Sequence, residues 1–569
     1  MATTGHIKVA EACPHRAAAL ISALAMIGAA PALAQVPPLP GTTVPSIAPS
    51  GGTGTGTQEG GYVAPWPAAG PVRLGDIGFP YNAVAVPQED PSVGGWSITP
   101  SLGLQFLGTD NLYQSRSNRE AEFITTLTPG VLVTVDTARF QGVVNYEPDL
   151  RLYASDSGQS GIDHQFNGQM LVTVVPSTFF LDLRGSGGVQ AANGGYAAAG
   201  DSSNSRGNQV QTTSFQVSPY LVHRFGGLMT LQVGYAFQSV TQNLSDNGSA
   251  AFTPTGQRYF SDQDFTANEF YAVARSGEDL GRLALEGRAI STDYDGTGVL
   301  ENAYRRIAAV EARYAVTRFV SVLGEVGYEQ QRYSGVPPFE ISEPVWSVGS
   351  KLTFSPESSI TARYGRHDGF DSARVDAALS LGGRTRLYAN YSERLTTAAQ
   401  RSADLLNTTT LDELGNPVDT ATGAPSVLPF ANSFLGVQSS LMRVRSASAS
   451  VSQDWGRDIL TLTLLREERK PVSTDIGTVA SRQSGTSGSL TWSHGLTPAT
   501  TAIGYLQYGT FETPARGSGN VFTVGATLVT QLAPGLVGTL QFITNSRADD
   551  VESGRALQNT IIAGLRQTF

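Results

Sequence analysis

The sequence predicts an all-β fold, namely a transmembrane up-and-down antiparallel β-barrel of about 22 strands, within a range of about 18 to 24. Three observations predict it. The 569 residues include 63 Gly and only 15% charged residues, whereas an ordinary soluble protein carries about 25%. Apolar and polar residues alternate over long runs, and short and long connections alternate between those runs.

The alternation begins at Trp96, so the predicted barrel covers residues 96–569. Trp96, Ile98 and Leu102 lie on one face, with small or polar residues between them. This pattern gives one row of side chains an apolar environment and the other a polar one. A soluble sandwich also alternates, but its strands average about 5–6 residues. Several runs here reach about ten, the length that a tilted strand needs to cross a bilayer.

Connections of two kinds separate the predicted strands. About ten short turns are expected, for example at 225–227, and a longer polar connection is expected between each two of them. The longest is predicted near residues 397–440. The sequence leaves open whether it projects outward or folds into the lumen. This count gives about 22 strands, with both chain ends on the short-turn side.

The first 95 residues are predicted to precede the barrel. Residues 1–34 combine a weakly basic start, an apolar run of small residues and an Ala-Leu-Ala site, which predicts a cleaved signal peptide. Residues 35–95 are rich in Pro and Gly and too polar to build a core, which predicts a disordered periplasmic segment. Cys13 is the only cysteine. It falls in the predicted signal peptide, so no disulfide and no cysteine-ligated metal are expected.

Charged and aromatic side chains fall on the rows that the alternation directs inward. In a water-filled lumen such charges are tolerated, whereas in a soluble core they are costly unless paired. The alternative is that these groups pair with one another and only fill the barrel. The pore-lining candidates are Glu286, Arg288, Arg305, Glu311, Arg313, Glu325, Lys351, Arg363, Asp376, Arg386 and Tyr388.

Two further features lie near strand ends. The charged stretch 466–470 is expected to form a solvated rim, with contact to lipopolysaccharide as the alternative. In the predicted last strand, Leu565 and Phe569 share one face, and Arg566 and Thr568 share the other. A strand that ends in Phe resembles the C-terminal signal read by the barrel-assembly machinery. We therefore expect Leu565 and Phe569 to form that signal.

Short motifs at the start of the predicted barrel resemble a known family. They are Thr109-Asp110-Asn111-Leu112, Phe123-Ile124 and Thr128-Pro129-Gly130. Together with stretches 163–170 and 179–187, they are similar to the first strands of the "β-barrel porin 2" group. They look closest to its branch of PEP-CTERM-system-associated outer-membrane β-barrel proteins. The rest of the chain matches only in architecture. The resemblance implies an outer-membrane barrel linked to exopolysaccharide production or export, without catalytic residues.

These features favour a channel in the cell outer membrane that takes part in exopolysaccharide export, and not an enzyme. The alternatives are a general porin-like solute channel and a structural or adhesive surface barrel. A plugged receptor is disfavoured, because the segment before the first strand is too short and polar for a plug domain. The expected partners are outer-membrane lipid, lipopolysaccharide, the barrel-assembly machinery, and a polysaccharide with periplasmic export components. No cofactor, metal or nucleic acid is expected, since the histidines are scattered and the net charge is -10.

Overall fold

The structure, a computed structural model, describes most of the chain beyond residue 94. The predicted signal peptide, 1–34, and all but the last residue of the predicted segment 35–95 lie outside the described residues. No helix in the described part is long and apolar enough to cross a membrane. The described ranges are 95–192, 205–244, 256–355, 358–411, 417–419, 435–513, 517–550 and 554–569.

The wall of the molecule consists of long antiparallel strands, two of which are interrupted. The first eleven strands are β1 (Trp96–Thr109), β2 (Glu122–Asp136), β3 (Phe140–Tyr146 and Asp149–Tyr153), β4 (Gly161–Asp163 and Phe166–Val175), β5 (Phe179–Ala191), β6 (Gln209–Phe225), β7 (Met229–Leu244), β8 (Gln263–Ser276), β9 (Leu283–Gly296), β10 (Tyr304–Ala315) and β11 (Val320–Tyr333). The other eleven are β12 (Phe339–Ser355), β13 (Ser358–His367), β14 (Phe370–Leu381), β15 (Thr385–Thr396), β16 (Ser440–Asp454), β17 (Asp458–Thr474), β18 (Gln483–Thr497), β19 (Thr500–Thr513), β20 (Gly517–Ala533), β21 (Leu536–Asp549) and β22 (Ala556–Thr568).

These strands form a closed barrel, which confirms the predicted fold class and strand number: the described residues contain 22 antiparallel strands. Each strand pairs with its neighbours in sequence, and β1 pairs with β22 to complete the ring. In that pairing Ser101 lies opposite Thr568, and Thr109 lies opposite Thr560. Closure matters physically because it leaves no sheet edge with unpaired N–H and C=O groups, the condition for a sheet within hydrocarbon.

The two faces of the sheet differ as the alternation predicts. Apolar side chains on the outer face are exposed, for example Val326 at 67%, Val348 at 57% and Leu464 at 52%. Polar and charged side chains on the inner face are buried, including Glu311 and Glu325. The inside of the barrel is therefore the polar side and the outside the apolar one, the reverse of a soluble β-protein.

The connections differ between the two ends of the barrel. At one end they have two to six residues, as predicted. At the other they range from the two residues Asp368 and Gly369 to the stretch 397–439. The expectation of a long connection at every position of this end is wrong between β13 and β14, and also between β19 and β20, which only three residues separate. Asp368 and Gly369 both have positive φ, 54° and 78°, which Gly adopts freely and Asp tolerates, and which the tightest hairpin turn requires.

The longest connection contains regular structure. Helix α1 (Ala398–Thr408) follows β15, and a small hairpin of Thr409–Leu411 and Pro417–Asp419 follows α1. The helix begins with a capping box. The Gln400 N–H donates to Thr397 Oγ1 at 3.0 Å, and the Thr397 N–H donates to Gln400 Oε1 at 3.1 Å.

Candidate functional site

Three glutamates form a transverse row on the inner face of β9, β10 and β11. Glu286 lies directly opposite Glu311, and Glu311 lies directly opposite Glu325. Like charges directly opposite each other destabilise a sheet. The row therefore requires cations from the same wall.

Three arginines supply those cations. Arg275 Nε lies 2.9 Å from Glu286 Oε2, and Arg288 pairs with Glu325. Arg363 donates two hydrogen bonds to the third carboxylate, Glu311, at 2.6 and 3.2 Å. This last pair is bidentate and buried, which makes it the strongest of the three.

The Arg363–Glu311 pair spans two intervening strands. Arg363 lies on β13 and Glu311 on β10, and the arginine passes its neighbour Gly349 on β12. A Cβ at Gly349 would lie 2.9 Å from Arg363 Cγ and 2.4 Å from the Ala362 carbonyl oxygen. The absence of a side chain at Gly349 thus gives Arg363 room to lie along the inner wall.

The other predicted pore-lining residues also lie on inward rows. Arg305 lies 3.5 Å from Asp368. Asp376 accepts from Arg374 at 2.9 Å and from Asn390 at 2.6 Å. Arg313, Lys351, Arg386 and Tyr388 are half-buried. The structure thus brings Glu286, Arg288, Glu311, Glu325 and Arg363 into one group of ion pairs, whereas the rest are distributed around the wall. Their role as pore-lining residues stays a prediction.

Helix α1 lies across the interior of the barrel and answers the question that the sequence left open. Arg401 donates to Glu467 on β17 at 2.8 and 3.3 Å. Arg184 on β5 donates to the Leu406 carbonyl oxygen at 2.6 Å. β5 and β17 lie nearly opposite each other in the ring of strands. A helix bonded to both walls must pass through the lumen, and we name these two contacts the tethers of α1.

The position of the tethers shows how deep α1 reaches. The helix starts just after the last residue of β15, at the long-loop end of the barrel. Near the other end of the helix, the Leu406 carbonyl oxygen accepts from Arg184. Arg184 lies five residues beyond the first residue of β5, which is at the short-turn end. The small hairpin that follows α1 lies against β4. The segment therefore descends from the long-loop end to about the middle of the barrel.

A buried acidic group lies beside α1. Asp368, in the tight turn between β13 and β14, accepts from Gln331 Nε2 at 2.7 Å and from the Leu395 N–H at 3.1 Å. On the helix itself, Asp404 lies 3.3 Å from Arg394. Burial raises the pKa of Asp404, while Arg394 and Arg305 lower it, and burial has the larger effect.

The motif at 109–112 closes the barrel. The Asp110 carboxylate accepts from the Asn559 N–H at 2.7 Å and from Asn559 Nδ2 at 2.8 Å. Asn111 is fully buried, and its Nδ2 donates to the Leu557 and Ser115 carbonyl oxygens at 2.8 and 2.6 Å. The motif thus extends the β1–β22 pairing beyond the last strand residues, and we call these contacts the seam clasp.

The charged stretch 466–470 divides between the two faces of β17. Glu467 and Arg469 point inward and are buried, and Arg469 Nε donates to Glu467 Oε1 at 2.5 Å. Arg466, Glu468 and Lys470 lie on the outer face. The expectation of a single solvated rim is therefore wrong for Glu467 and Arg469, because successive strand residues face opposite sides.

Residues of the predicted assembly signal lie at the short-turn end. Leu565 is on the outer face, and the exposed Phe569 donates its backbone N–H to the Pro100 carbonyl oxygen at 2.9 Å. Recognition by the assembly machinery stays a prediction. Elsewhere in the described ranges, no group of three or more His, Asp or Glu residues is placed to hold a metal ion.

Sequence reasoning missed α1 and its partners. Two signals for them were present: the Thr397-x-x-Gln400 capping box before a run rich in Ala and Leu, and the Asp368-Gly369 dipeptide typical of a tight hairpin. No local signal connects Arg401 with Glu467 or Arg184 with Leu406, because those pairs are set by the diameter of the barrel.

Comparisons with known proteins assign the chain to no family. No protein-family model matches the chain, and no curated protein matches its sequence. The β-barrel porin 2 resemblance and its PEP-CTERM association are therefore unsupported by those comparisons.

Solved structures with a similar arrangement include receptors and porins. The FrpB iron transporter of Neisseria meningitidis is 10% identical, with a TM-score of 0.43 over 84% of this chain and 82% of that one. The closed ferric-catecholate import receptor Fiu of E. coli K12 is 10% identical, with a TM-score of 0.44 over 83% and 82%. Pseudomonas aeruginosa OccK2 in complex with glucuronate is 10% identical, with a TM-score of 0.33 over 84% and 100%. Such distant similarities assign no function.

Proposed function

We propose that the protein is an outer-membrane channel for polar solutes whose lumen is narrowed by α1. The observation that carries the proposal is the inverted polarity of the closed sheet. Its outer face is apolar, and its inner face holds the glutamate row and the arginines that pair with it. Such a wall isolates a polar path from hydrocarbon, which is what a diffusion channel needs.

The location and partners follow from the same geometry. An apolar outer band requires lipid around it, and a closed barrel of this kind is the architecture of the outer membrane. The proposed partners are therefore outer-membrane lipid, lipopolysaccharide, and the assembly machinery that would read Leu565 and Phe569. A polysaccharide and periplasmic export components join them if the channel exports a polymer.

Exopolysaccharide export is the more specific form of the proposal, and it rests on the family resemblance. Departure of α1 from the lumen would widen the path for a polymer. The described contacts allow this, because α1 is held against the walls by ion pairs, hydrogen bonds and the packing of Ala399 and Ala403, and not by covalent links. On this proposal α1 is a movable constriction, and breaking its tethers widens the path for a polymer.

Planar-bilayer recording of the purified mature protein tests the proposal. We expect a stable open conductance in the wild type, and larger openings when the Arg401–Glu467 tether is weakened. Long neutral and anionic polysaccharides should block those larger openings. A folded, heat-modifiable protein that conducts no ions would refute the channel, and would favour a structural or adhesive barrel.

A general porin-like channel for small solutes is the second candidate, and the position of α1 across the lumen favours it. Size separates the two candidates. If monosaccharides and small anions enter but no polysaccharide blocks even the variant with a weakened tether, the channel is of this general kind. The export proposal is then wrong, while the channel proposal stands.

A further inference from the structure

A group of five cations lies on the outer face of the barrel, near the long-loop ends of β16 to β18. Arg443 and Arg445 are on β16, Arg466 and Lys470 on β17, and Arg482 just before β18. In the register of β16 and β17, Arg443 lies opposite Lys470 and Arg445 lies opposite Glu468. Arg466 lies two positions before Glu468 on the same face of β17. We call this group the basic patch.

Two carboxylates lie beneath the basic patch and are covered by it. Glu393 accepts from Arg443 Nη2 at 2.6 Å and lies 3.1 Å from Arg445 Nε. The other, Glu468, lies 3.2 Å from Lys470 and 2.9 Å from Arg482.

The outermost layer of the patch is therefore cationic. The side chain of Glu393 is only 7% exposed and that of Glu468 is 14% exposed. The side chains of Lys470 and Arg482 are 47% and 55% exposed. Five cations share two largely covered carboxylates, so an excess of positive charge faces outward. On the neighbouring strand β19, Glu512 accepts from Ser484 and limits the patch at that side.

The height of the patch matches a membrane interface. Arg466 is eight residues and Lys470 twelve residues along β17 from Asp458. With a rise of about 3.3 Å per residue and a tilt of about 40°, they lie about 20 and 30 Å above the short-turn end. The apolar band of such barrels is about 25 Å tall. Exposed Leu462 and Leu464 lie directly below the patch.

We propose that the basic patch binds the phosphorylated headgroup of an outer-leaflet lipid, whose acyl chains lie along the apolar wall below. The charge of the patch complements phosphate, and arginine forks suit its oxygens. In the patch, cations cover two carboxylates and lie directly above exposed leucines. A rim that only contacts water does not explain this combination. The inference rests on the proposed placement in an outer membrane, but not on what the lumen conducts.

Native mass spectrometry of the folded protein with lipid A phosphorylated at both ends tests this proposal. The test variant is R466Q/K470Q. It removes two cations near an anionic surface, for which we expect about thirtyfold weaker retention. The matched control is R306Q/R332Q, which removes two outward cations near the long-loop ends of β10 and β11. R466K/K470R keeps both charges, and like the control it should retain lipid A as the wild type does.

Three outcomes would overturn the proposal. The first is that R466Q/K470Q retains as much lipid A as R306Q/R332Q does. The second is that dephosphorylated lipid A is retained as well as the phosphorylated form, which would mean that the acyl chains alone bind. The third is that inorganic phosphate at low millimolar concentration displaces the lipid completely, which would mean a site for free phosphate. The readout of this experiment is bound lipid and not ionic current. A protein that does not bind lipid A would therefore not contradict the channel proposal. A protein that conducts no ions would likewise not contradict the proposal of lipid binding.

Discussion

Glu467 is one of the residues that hold α1 in the lumen, and its replacement by Gln provides the sharpest test of the constriction. The side chain of Glu467 is 2% exposed, and it receives hydrogen bonds from Arg401 on α1 and from Arg469 on its own strand. Glu467→Gln leaves two buried guanidinium groups against a neutral amide. Breaking a buried pair in this way costs about 3 kcal/mol, so the population with α1 undocked should rise about 150-fold.

The change in conductance can be worked from the geometry. A ring of 22 strands at a spacing of about 4.8 Å and a tilt of about 40° encloses about 800 Å² inside its side chains. The 11 residues of α1 form a helix about 16 Å long and about 10 Å wide. It therefore covers about 160 Å² of that area, or about a fifth. Undocking should raise single-channel conductance about 1.25-fold.

Single-channel recording measures both quantities, and Glu468→Gln is the matched control. It makes the same chemical change at the next residue of β17, but on the outer face. We expect Glu467→Gln to add a frequent higher conductance level and Glu468→Gln to behave as the wild type. The reasoning is refuted if Glu467→Gln folds and shows the same levels and dwell times as Glu468→Gln.

Three further predictions concern the inner wall, the seam clasp and pH. Glu311→Gln should lower the free energy of unfolding by about 3 kcal/mol in urea titrations, because it removes the carboxylate that pairs with buried Arg363. Glu286→Gln should cost under about 1 kcal/mol, because its partner Arg275 is 35% exposed; equal losses would contradict this ranking. Asn111→Ala should cost about 2–3 kcal/mol through lost buried hydrogen bonds, whereas Asn118→Ala at an exposed position should not. Because burial raises the pKa of Asp404, docked α1 takes up a proton as the pH falls through that raised value. Acidification should therefore reduce the time at the higher conductance level, and Asp404→Asn should abolish this dependence.

The alternation of side chains predicts the faces of the barrel, but not the contacts between strands. It placed Glu311 and Glu325 on inward rows, because successive strand residues point to opposite sides. It did not give the register that sets Glu286, Glu311 and Glu325 in one row, since register depends on every turn between them. The reach of Arg363 over Gly349 depends on that register as well.

The interior segment was harder to predict for a different reason. The 397–440 stretch lies between strands, and its polar composition is typical of a surface loop. Its helix is stabilised by distant partners, Glu467 and Arg184, whose approach requires the complete ring. The Thr397–Gln400 capping box indicates that a helix starts there, but not that it points inward.

The seam clasp also has a consequence for the order in which the molecule assembles. Asp110 and Asn559 are 449 positions apart in the chain, so their contact, like the rest of the β1–β22 pairing, has a large loop-closure cost and forms late. Until β22 arrives, β1 is an open edge that can pair with another molecule. A weakened clasp would then show itself less in the finished barrel than in the yield of monomers, because nascent chains that close slowly have longer to aggregate.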